Sequence, residues 1–369
     1  MEIIDKISKR IECEMHAFNA NRYCHKRINN FEAKFNKNIQ LNNIPELPEP
    51  VAKEIKSFWR KYVNFDIGTN FHRIAALRIS AESLPYIVCD SVLYPIMMKR
   101  LNPVNQARVL ENKGLADVLF DGVKHPFEIV RNVRGTFTDS NFELLSKDAA
   151  IRRILSYNQP VVIKKSVDSL GGRDVVFFKD YDETIIRQQF DAFKKDFVVQ
   201  EVLQQSEQTA KFNPTSLNTF RVTTLLLNGE FTLLGAWLKC GSKGSEVDNL
   251  TSGGMGACVL PDGRLNYAVS FLTPKFEFSP SGLRFEDCRI EHFDRIVEKA
   301  KQFHTRIPMV SMAGWDFALD TNDQPVLIEA NLRNPDTFPW QMTQGPIFGD
   351  RLQEVLDYCF PIHRRPIKF

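Results

Sequence analysis

The sequence has seven cysteines but no Cys-x-x-Cys pair and no spacing that reads as a disulfide framework. That absence leaves free thiols in a reducing compartment as the expected state. Cys13 with His16 and Cys24 with His25 lie close in the chain, but two such pairs in a helical stretch do not make a zinc motif. No apolar run reaches the ~20 residues of a membrane span. The start, Met1-Glu2-Ile3-Ile4-Asp5-Lys6, has no apolar signal-peptide segment, so a cytoplasmic location is expected. Charge of either sign is also nearly lacking in excess. The net charge is +3, and the first 65 residues hold 12 Lys/Arg against 8 Asp/Glu. Nucleic acid is therefore not expected as a partner. No Ser/His/Asp or Cys/His constellation supplies a side-chain nucleophile.

What is present is ordinary in bulk: 369 residues, 43% hydrophobic and 25% charged, enough for two or three domains. The 29 phenylalanines are spread along the chain and read as core. Residues 1–37 carry an apolar stripe at helical spacing, Ile3/Ile4, Ile7, Ile11, Met15 and Phe18, followed by a solvated basic face. Pro45, Pro48 and Pro50 mark a linker. Residues 51–63 and most of 69–110 read as helix. No chemistry is assigned to residues 1–105.

From Leu110 the pattern changes. Helices are expected over 111–120, 141–156, 181–195, 285–304 and 349–360. Extended segments are expected over 125–130, 160–164, 175–178, 196–203, 215–227 and 231–239, with Asn228-Gly229 as a hairpin turn. Another hairpin is expected around Pro261-Asp262-Gly263, and a polar linker over 204–214. The loop holding Gly171-Gly172 joins strand to strand. It therefore differs from a phosphate loop that opens a helix, although glycine still lets backbone N–H groups approach a phosphate. An ordinary hairpin turn is the alternative.

The most informative stretch is Gly314–Asn331, read as a β-hairpin turned at Asn322-Asp323-Gln324-Pro325. Glu329 and Asn331 point to one face by strand alternation. If Asp316 faces the same way, three oxygen ligands converge, as Mg²⁺ requires. A solvated hairpin is the alternative.

Glu329 and Asn331 stand thirteen and fifteen residues after Asp316. This Asp…Glu-x-Asn spacing resembles the magnesium signature of ATP-grasp ligases. Val161-Val162-Ile163-Lys164 followed by Gly171-Gly172 resembles the family's strand lysine and phosphate-covering loop, and Phe197–Leu203 its hinge. Ser216–Arg221, Val247-Asp248-Asn249 and Gly253-Gly254 resemble the sugar-transfer-associated ATP-grasp group, found with bacterial capsule or O-antigen polysaccharide genes. The resemblance spans residues 110–345. It departs at Lys165, where the family has proline, and at Gly314, where other ligases carry a cation.

The resemblance implies an α+β ATP-grasp fold, two α+β subdomains clasping ATP, preceded by a mainly helical region. The expected boundaries are 1–105, 106–205 with the glycine loop and hinge, and 206–369 with the Mg²⁺ and substrate side. It implies ATP and Mg²⁺, with two ions expected, as cofactors, and Asp316, Glu329 and Asn331 as metal ligands. Lys113, Lys164, Gly171, Gly172, Glu201, Val202, Leu203, Glu207 (or Gln208) and Asn218 are the implied nucleotide contacts. Arg221, Lys239 and Arg333 would stabilise the transferring phosphoryl group. Asp248, Asn249, Gly253 and Gly254 would meet the substrate. The implied activity joins a small-molecule carboxylate, such as a sugar acid, to an amine through an acyl phosphate. The alternatives are a nucleotide-binding subunit of a glycan assembly complex without turnover, and a kinase acting on a sugar hydroxyl.

Overall fold

The computed structural model describes residues 29–120, 122, 124–168, 174–250 and 253–361. The helix expected over residues 1–37 is seen only from 29 onward, and the Cys13/His16 and Cys24/His25 pairs lie outside the described residues. Among those residues, no helix is long and apolar enough to cross a membrane. The chain forms two compact units.

One unit comprises the described parts of residues 1–101, 271–274 and 337–369. It is built from helices, among them 29–42, Glu49–Trp59, Asn70–Ala75 and Phe338–Thr343. Pro45 and Pro48 lie in the break between the first two, as expected where proline removes a helix hydrogen bond. Aromatic rings fill its centre. Phe35 meets Phe71 edge-on at 5.1 Å and Phe338 face-on at 5.9 Å. The buried Gln341 side chain accepts from Val88 N and donates to Val88 O, both at 2.9 Å, acting as a strand would. A π-helical turn, Leu93–Met97, surrounds Pro95, whose ring nitrogen has no hydrogen to donate.

The other unit, 102–270 with 275–336, holds two six-stranded antiparallel sheets. The first contains β1 (Glu128–Val133), β2 (Thr136–Thr138), β3 (Leu144–Leu145), β4 (Val161–Lys165), β5 (Val175–Phe178) and β6 (Phe197–Glu201), in the order β3-β2-β1-β6-β4-β5. The second contains β7 (Thr219–Leu227), β8 (Glu230–Cys240), β9 (Met255–Val259), β10 (Leu265–Val269), β11 (Met312–Leu319) and β12 (Pro325–Asn331), in the order β10-β9-β8-β7-β11-β12. Helices Lys147–Tyr157 and Glu183–Phe193 cover the first sheet through Ile151, Ile154, Ile186 and Phe190. Helix Phe293–His304 covers the second, with Phe303 against Trp315 and Phe317.

The hairpins turned at Asn228-Gly229 and Asp262-Gly263 form as expected. Several helices are shorter than their sequence pattern. The one expected from residue 141 starts at Lys147, because Leu144–Leu145 pairs with β2 and Ser146 then caps the helix. The one expected from 285 starts at Phe293, because His292 is left-handed with φ 55° and breaks it from the turn Phe285–Asp287. Residues 111–120 divide into turns Lys113–Leu115 and Ala116–Leu119, and the last helix is Leu352–Cys359 after a 3₁₀ turn. Part of the expected linker 204–214 is helix Glu207–Ala210, capped by the Ser206 hydroxyl.

Candidate active site

Sheet register decides which side chains meet. β11 pairs with β12 so that Asp316 faces Glu329 and Gly314 faces Asn331. On its other side β11 pairs with β7, which sets Arg221 opposite Asp316. One strand further, Lys239 of β8 lies opposite Thr219 of β7. These residues converge at the buried Asp316. The Arg221 guanidinium donates to both carboxylate oxygens, and Lys239 Nζ donates to Oδ2 at 2.9 Å. Arg221 Nη1 also donates to Pro335 O at 3.0 Å. Gly314 makes room for this. A Cβ there would lie 2.7 Å from Pro335 O and 3.1 Å from Arg221 Cδ. A side chain at 314 would therefore displace the cation that clamps Asp316.

The neighbouring carboxylates are also matched by cations. Lys113 Nζ pairs with Glu329 at 2.7 Å. Lys239 lies 3.7 Å from Asp248, which accepts from the Thr219 hydroxyl. Burial alone would raise the Glu329 pKa, but Lys113, Lys239 and Arg221 outweigh it and hold the group well below the usual carboxylate range. Asp248 goes the other way, because burial outweighs Lys239 and Thr219. Burial would lower Lys239, but Asp248 and Asp316 lift it. Lys164 is the exception. Among the described residues its ammonium has no hydrogen-bond or ion-pair partner, and burial with the nearby Lys113 pushes its pKa down to about 8.

Whereas Arg221 lies behind Asp316 and outside the lining, Lys113, Lys164, Lys239, Asp248, Asp316 and Glu329 supply the charged lining of a cleft of about 1060 Å³, open solvent at its mouth included. Its apolar walls include Val162, Val175, Phe177, Leu203, Leu217 and Ile328. In the first sheet, Gln200 lies opposite both Val162 and Glu128, one pleat from the row holding Lys164. Gln200 Nε2 donates to Glu128 Oε1 at 3.2 Å, and Arg131 pairs with the same carboxylate. A carboxylate accepts only, so this contact fixes which way the amide points. Among the described residues Gln200 Oε1 is buried with no hydrogen-bond partner, in a side chain that lines the cleft.

The structure brings Lys113, Lys164, Glu201, Val202, Leu203, Lys239, Asp248, Asn249, Asp316 and Glu329 to the cleft. Asn331 and Arg333 line a smaller adjoining cavity, which shares Lys113 and Glu329 with the first. The Glu201 carboxylate is engaged within the protein, accepting from Phe127 N at 2.9 Å and Tyr157 Oη at 3.2 Å. Asn218 is not brought to the cleft. It is fully buried, and its amide donates to Thr209 O and Asn213 O at 2.9 and 2.7 Å. Glu207 is exposed on its short helix, and Gln208 is bound to Asp323 and to Glu291 N. Gly253 and Gly254 lie outside the cleft lining. A Cβ on Gly254 would sit within 2.9 Å of the carbonyls of Asn249, Cys240 and Asp248, so its role here is to let that loop close. Gly171 and Gly172 lie outside the described residues. Gln200, Thr219, Leu217 and Ile328 also line the cleft; none was singled out as a contact from sequence, although Gln200 lies in the hinge segment Phe197–Leu203 and Leu217 and Thr219 in the Ser216–Arg221 motif. Strand alternation within the hinge, which puts Gln200 on the same face as Val198 and Val202, was the available signal for the first.

The donor set fits a hard divalent cation. Asn331 Nδ2 lies 3.4 Å from Asp316 Oδ2 and 3.3 Å from Glu329 Oε1. Turning the amide over would place its oxygen there and gather three oxygen donors.

The chain is an ATP-grasp protein. More narrowly, it belongs to the sugar-transfer associated ATP-grasp family, whose model matches residues 96–357. No curated protein matches the chain. Similar solved structures include N5-carboxyaminoimidazole synthetase from Staphylococcus aureus complexed with ADP, with 13% identity over 61% of this chain and 45% of that one and a TM-score of 0.38. An L-amino acid ligase from Bacillus licheniformis has 16% identity over 61% and 40%, with a TM-score of 0.35. The D-alanine–D-alanine ligase from Coxiella burnetii has 11% identity over 69% and 60%, with a TM-score of 0.40. The chain thus spans 40–60% of the length of these proteins. The family match alone carries the assignment.

Proposed function

We propose that this chain is an ATP- and Mg²⁺-dependent ligase that joins a small carboxylate, such as a sugar acid, to an amine. The observation that carries this reading is the Asp316 cluster, where Arg221 and Lys239 clamp one carboxylate beside Glu329 and Asn331. Asp316, Glu329 and Asn331 would hold Mg²⁺, which neutralises phosphate charge when bound. The unpartnered Lys164, and Lys113 once it leaves Glu329, would receive phosphate oxygens. Glu329, released from Lys113, would then be open to the metal. Arg221 and Lys239 would face the charge that develops on the transferred phosphoryl group.

In the proposed reaction a carboxylate oxygen bonds to the γ-phosphorus as its bond to the β–γ bridging oxygen breaks, and ADP leaves. The amine nitrogen then bonds to the acyl carbon as the bond from that carbon to the phosphate's bridging oxygen breaks. The products are the amide, inorganic phosphate and a proton. Purified protein with ATP, Mg²⁺ and panels of uronic acids, amino acids and amines is expected to release ADP only when both partners are present. ADP release with neither would end the ligase reading. Phosphate transfer to a sugar hydroxyl, without free phosphate, would make it a kinase.

The apolar walls would hold the base, and Gln200 Oε1 would accept its exocyclic amine. Gln200→Leu is then expected to lower the preference for ATP over ITP by about tenfold to a hundredfold, the cost of an unmade buried hydrogen bond. Competition against TNP-ATP measures it. An unchanged ratio would remove Gln200 from base recognition.

A further inference from the structure

The helical unit carries a groove to which the ligase reading assigns nothing. One wall is a stripe along helix Glu49–Trp59 and the turn after it: Pro50, Lys53, Glu54, Ser57, Phe58 and Lys61. Steps of three and four residues put these on one face, opposite the buried Ile55 and Trp59. The other wall is the 3₁₀ turn Leu84–Tyr86, through Pro85 and Tyr86. The groove encloses about 850 Å³, open solvent included, which is room for a metabolite. Its lining belongs to one unit, and none of it is shared with the nucleotide cleft.

The groove is aromatic and its rings are held. Phe58 meets Trp59, Tyr62 and Tyr86 with ring centroids 5.4, 5.6 and 5.3 Å away. Pro50 and Pro85 each fix a backbone torsion beside them. Tyr86 is nonetheless 46% exposed. The polar neighbours are uncommitted. Among the described residues, Lys53, Glu54, Ser57 and the Tyr86 hydroxyl have no side-chain hydrogen bond or ion pair. The Lys61 ammonium has only the Phe58 ring, 5.7 Å away. By contrast Lys56, further round the helix, is spent on Asp66 at 2.8 Å.

This set mixes donors (the lysines), an acceptor (Glu54) and groups that do both (Ser57 and Tyr86). An apolar ligand would strip water from them and return nothing. A ligand rich in hydroxyls, with apolar ring faces, would replace those hydrogen bonds while it packs on the aromatic rings. Two cations against one acid add a preference for negative charge. The chain's own ends do not supply it. Residues 1–28 hold six Lys/Arg against four Asp/Glu, and residues 362–369 hold three against none.

We infer that this groove binds an acidic oligosaccharide, with sugar ring faces against Tyr86 and Phe58 and carboxylates at Lys53 and Lys61. No bond is made or broken there. The inference goes beyond the ligase reading and does not depend on it.

The test titrates the full-length protein with trigalacturonate and with galactotriose, its neutral counterpart, read by saturation-transfer NMR. The acid is expected to bind about tenfold more tightly, the sum of two exposed charge pairs, and to lose that advantage at high salt. Lys53→Gln with Lys61→Gln should bring both ligands to one affinity. Tyr86→Ala should weaken both by about fivefold, the worth of one lost ring contact. All three side chains are exposed, so the variants are expected to fold, and an unchanged melting temperature checks this. Binding of neither sugar, equal binding of both, or variants that bind like the unmodified protein would overturn the assignment. So would hexaglutamate binding more tightly than trigalacturonate, which would make the groove a seat for an acidic protein segment. No nucleotide is present in these titrations, so their failure is told apart from a failure of the ligase reading.

Discussion

Asp316→Asn is expected to lower ADP formation by roughly 10²–10³-fold while leaving the chain folded, because one preorganised charge at the transferring group is worth about that much. The isosteric amide keeps a hydrogen-bonding partner for Arg221 and Lys239 but removes the charge they surround. Asp316→Ala should do more. It leaves two buried cations facing each other, and breaking a buried pair from one side costs about 3–5 kcal/mol. In a unit the size of 102–270 with 275–336, each lost kcal/mol lowers the melting temperature by about 2–4 °C. A double variant, Asp316→Ala with Arg221→Met, should recover part of that loss, since it removes the uncompensated guanidinium as well. Turnover of Asp316→Asn at the rate of the unmodified protein would sink the metal and phosphoryl assignment. A double variant no more stable than Asp316→Ala would show that the clamp is not the source of the instability.

Lys164→Met should stabilise the free protein and at the same time weaken nucleotide binding. Burial and Lys113 lower the folded pKa of Lys164 from 10.5 to about 8. At neutral pH the folded chain thus carries a charged ammonium in a place that disfavours it, at a cost of up to about 3 kcal/mol. The unfolded chain binds the proton more tightly, so between pH 8 and 10.5 the folded chain holds fewer protons. Its stability therefore rises with pH through that window, and below pH 8 the whole cost remains. Urea unfolding of both proteins at pH 7 and pH 9.5 should show a large advantage for Lys164→Met at the lower pH and a smaller one at the higher. TNP-ATP affinity should fall in the variant by about tenfold or more, as the loss of a charge-assisted phosphate contact implies. A destabilised variant, or an advantage that does not shrink with pH, would contradict the reading of Lys164 as a strained anion receiver.

Much of this site was legible in the chain because its residues are local. Glu329 and Asn331 share a strand face by simple alternation, and Asn228-Gly229 announces its own turn. The helices were legible as periodic patterns but not in their limits. His292 in a left-handed conformation and the pairing of Leu144–Leu145 with β2 are tertiary outcomes, and each shortened a helix.

The sequence by itself determined the family and the spacing of Asp316, Glu329 and Asn331, because both are carried by near neighbours in the chain. Only the tertiary structure decided which cations meet which acids. Arg221 and Asp316 are 95 residues apart, and their pairing depends on the register of β7 against β11 and on the space left by Gly314. It also decided that Asn218 is spent on its own loop and that Gln200 presents an uncommitted oxygen to the cleft. Burial and hydrogen-bond satisfaction are sums over the whole surroundings of a group, and no stretch of sequence contains those surroundings.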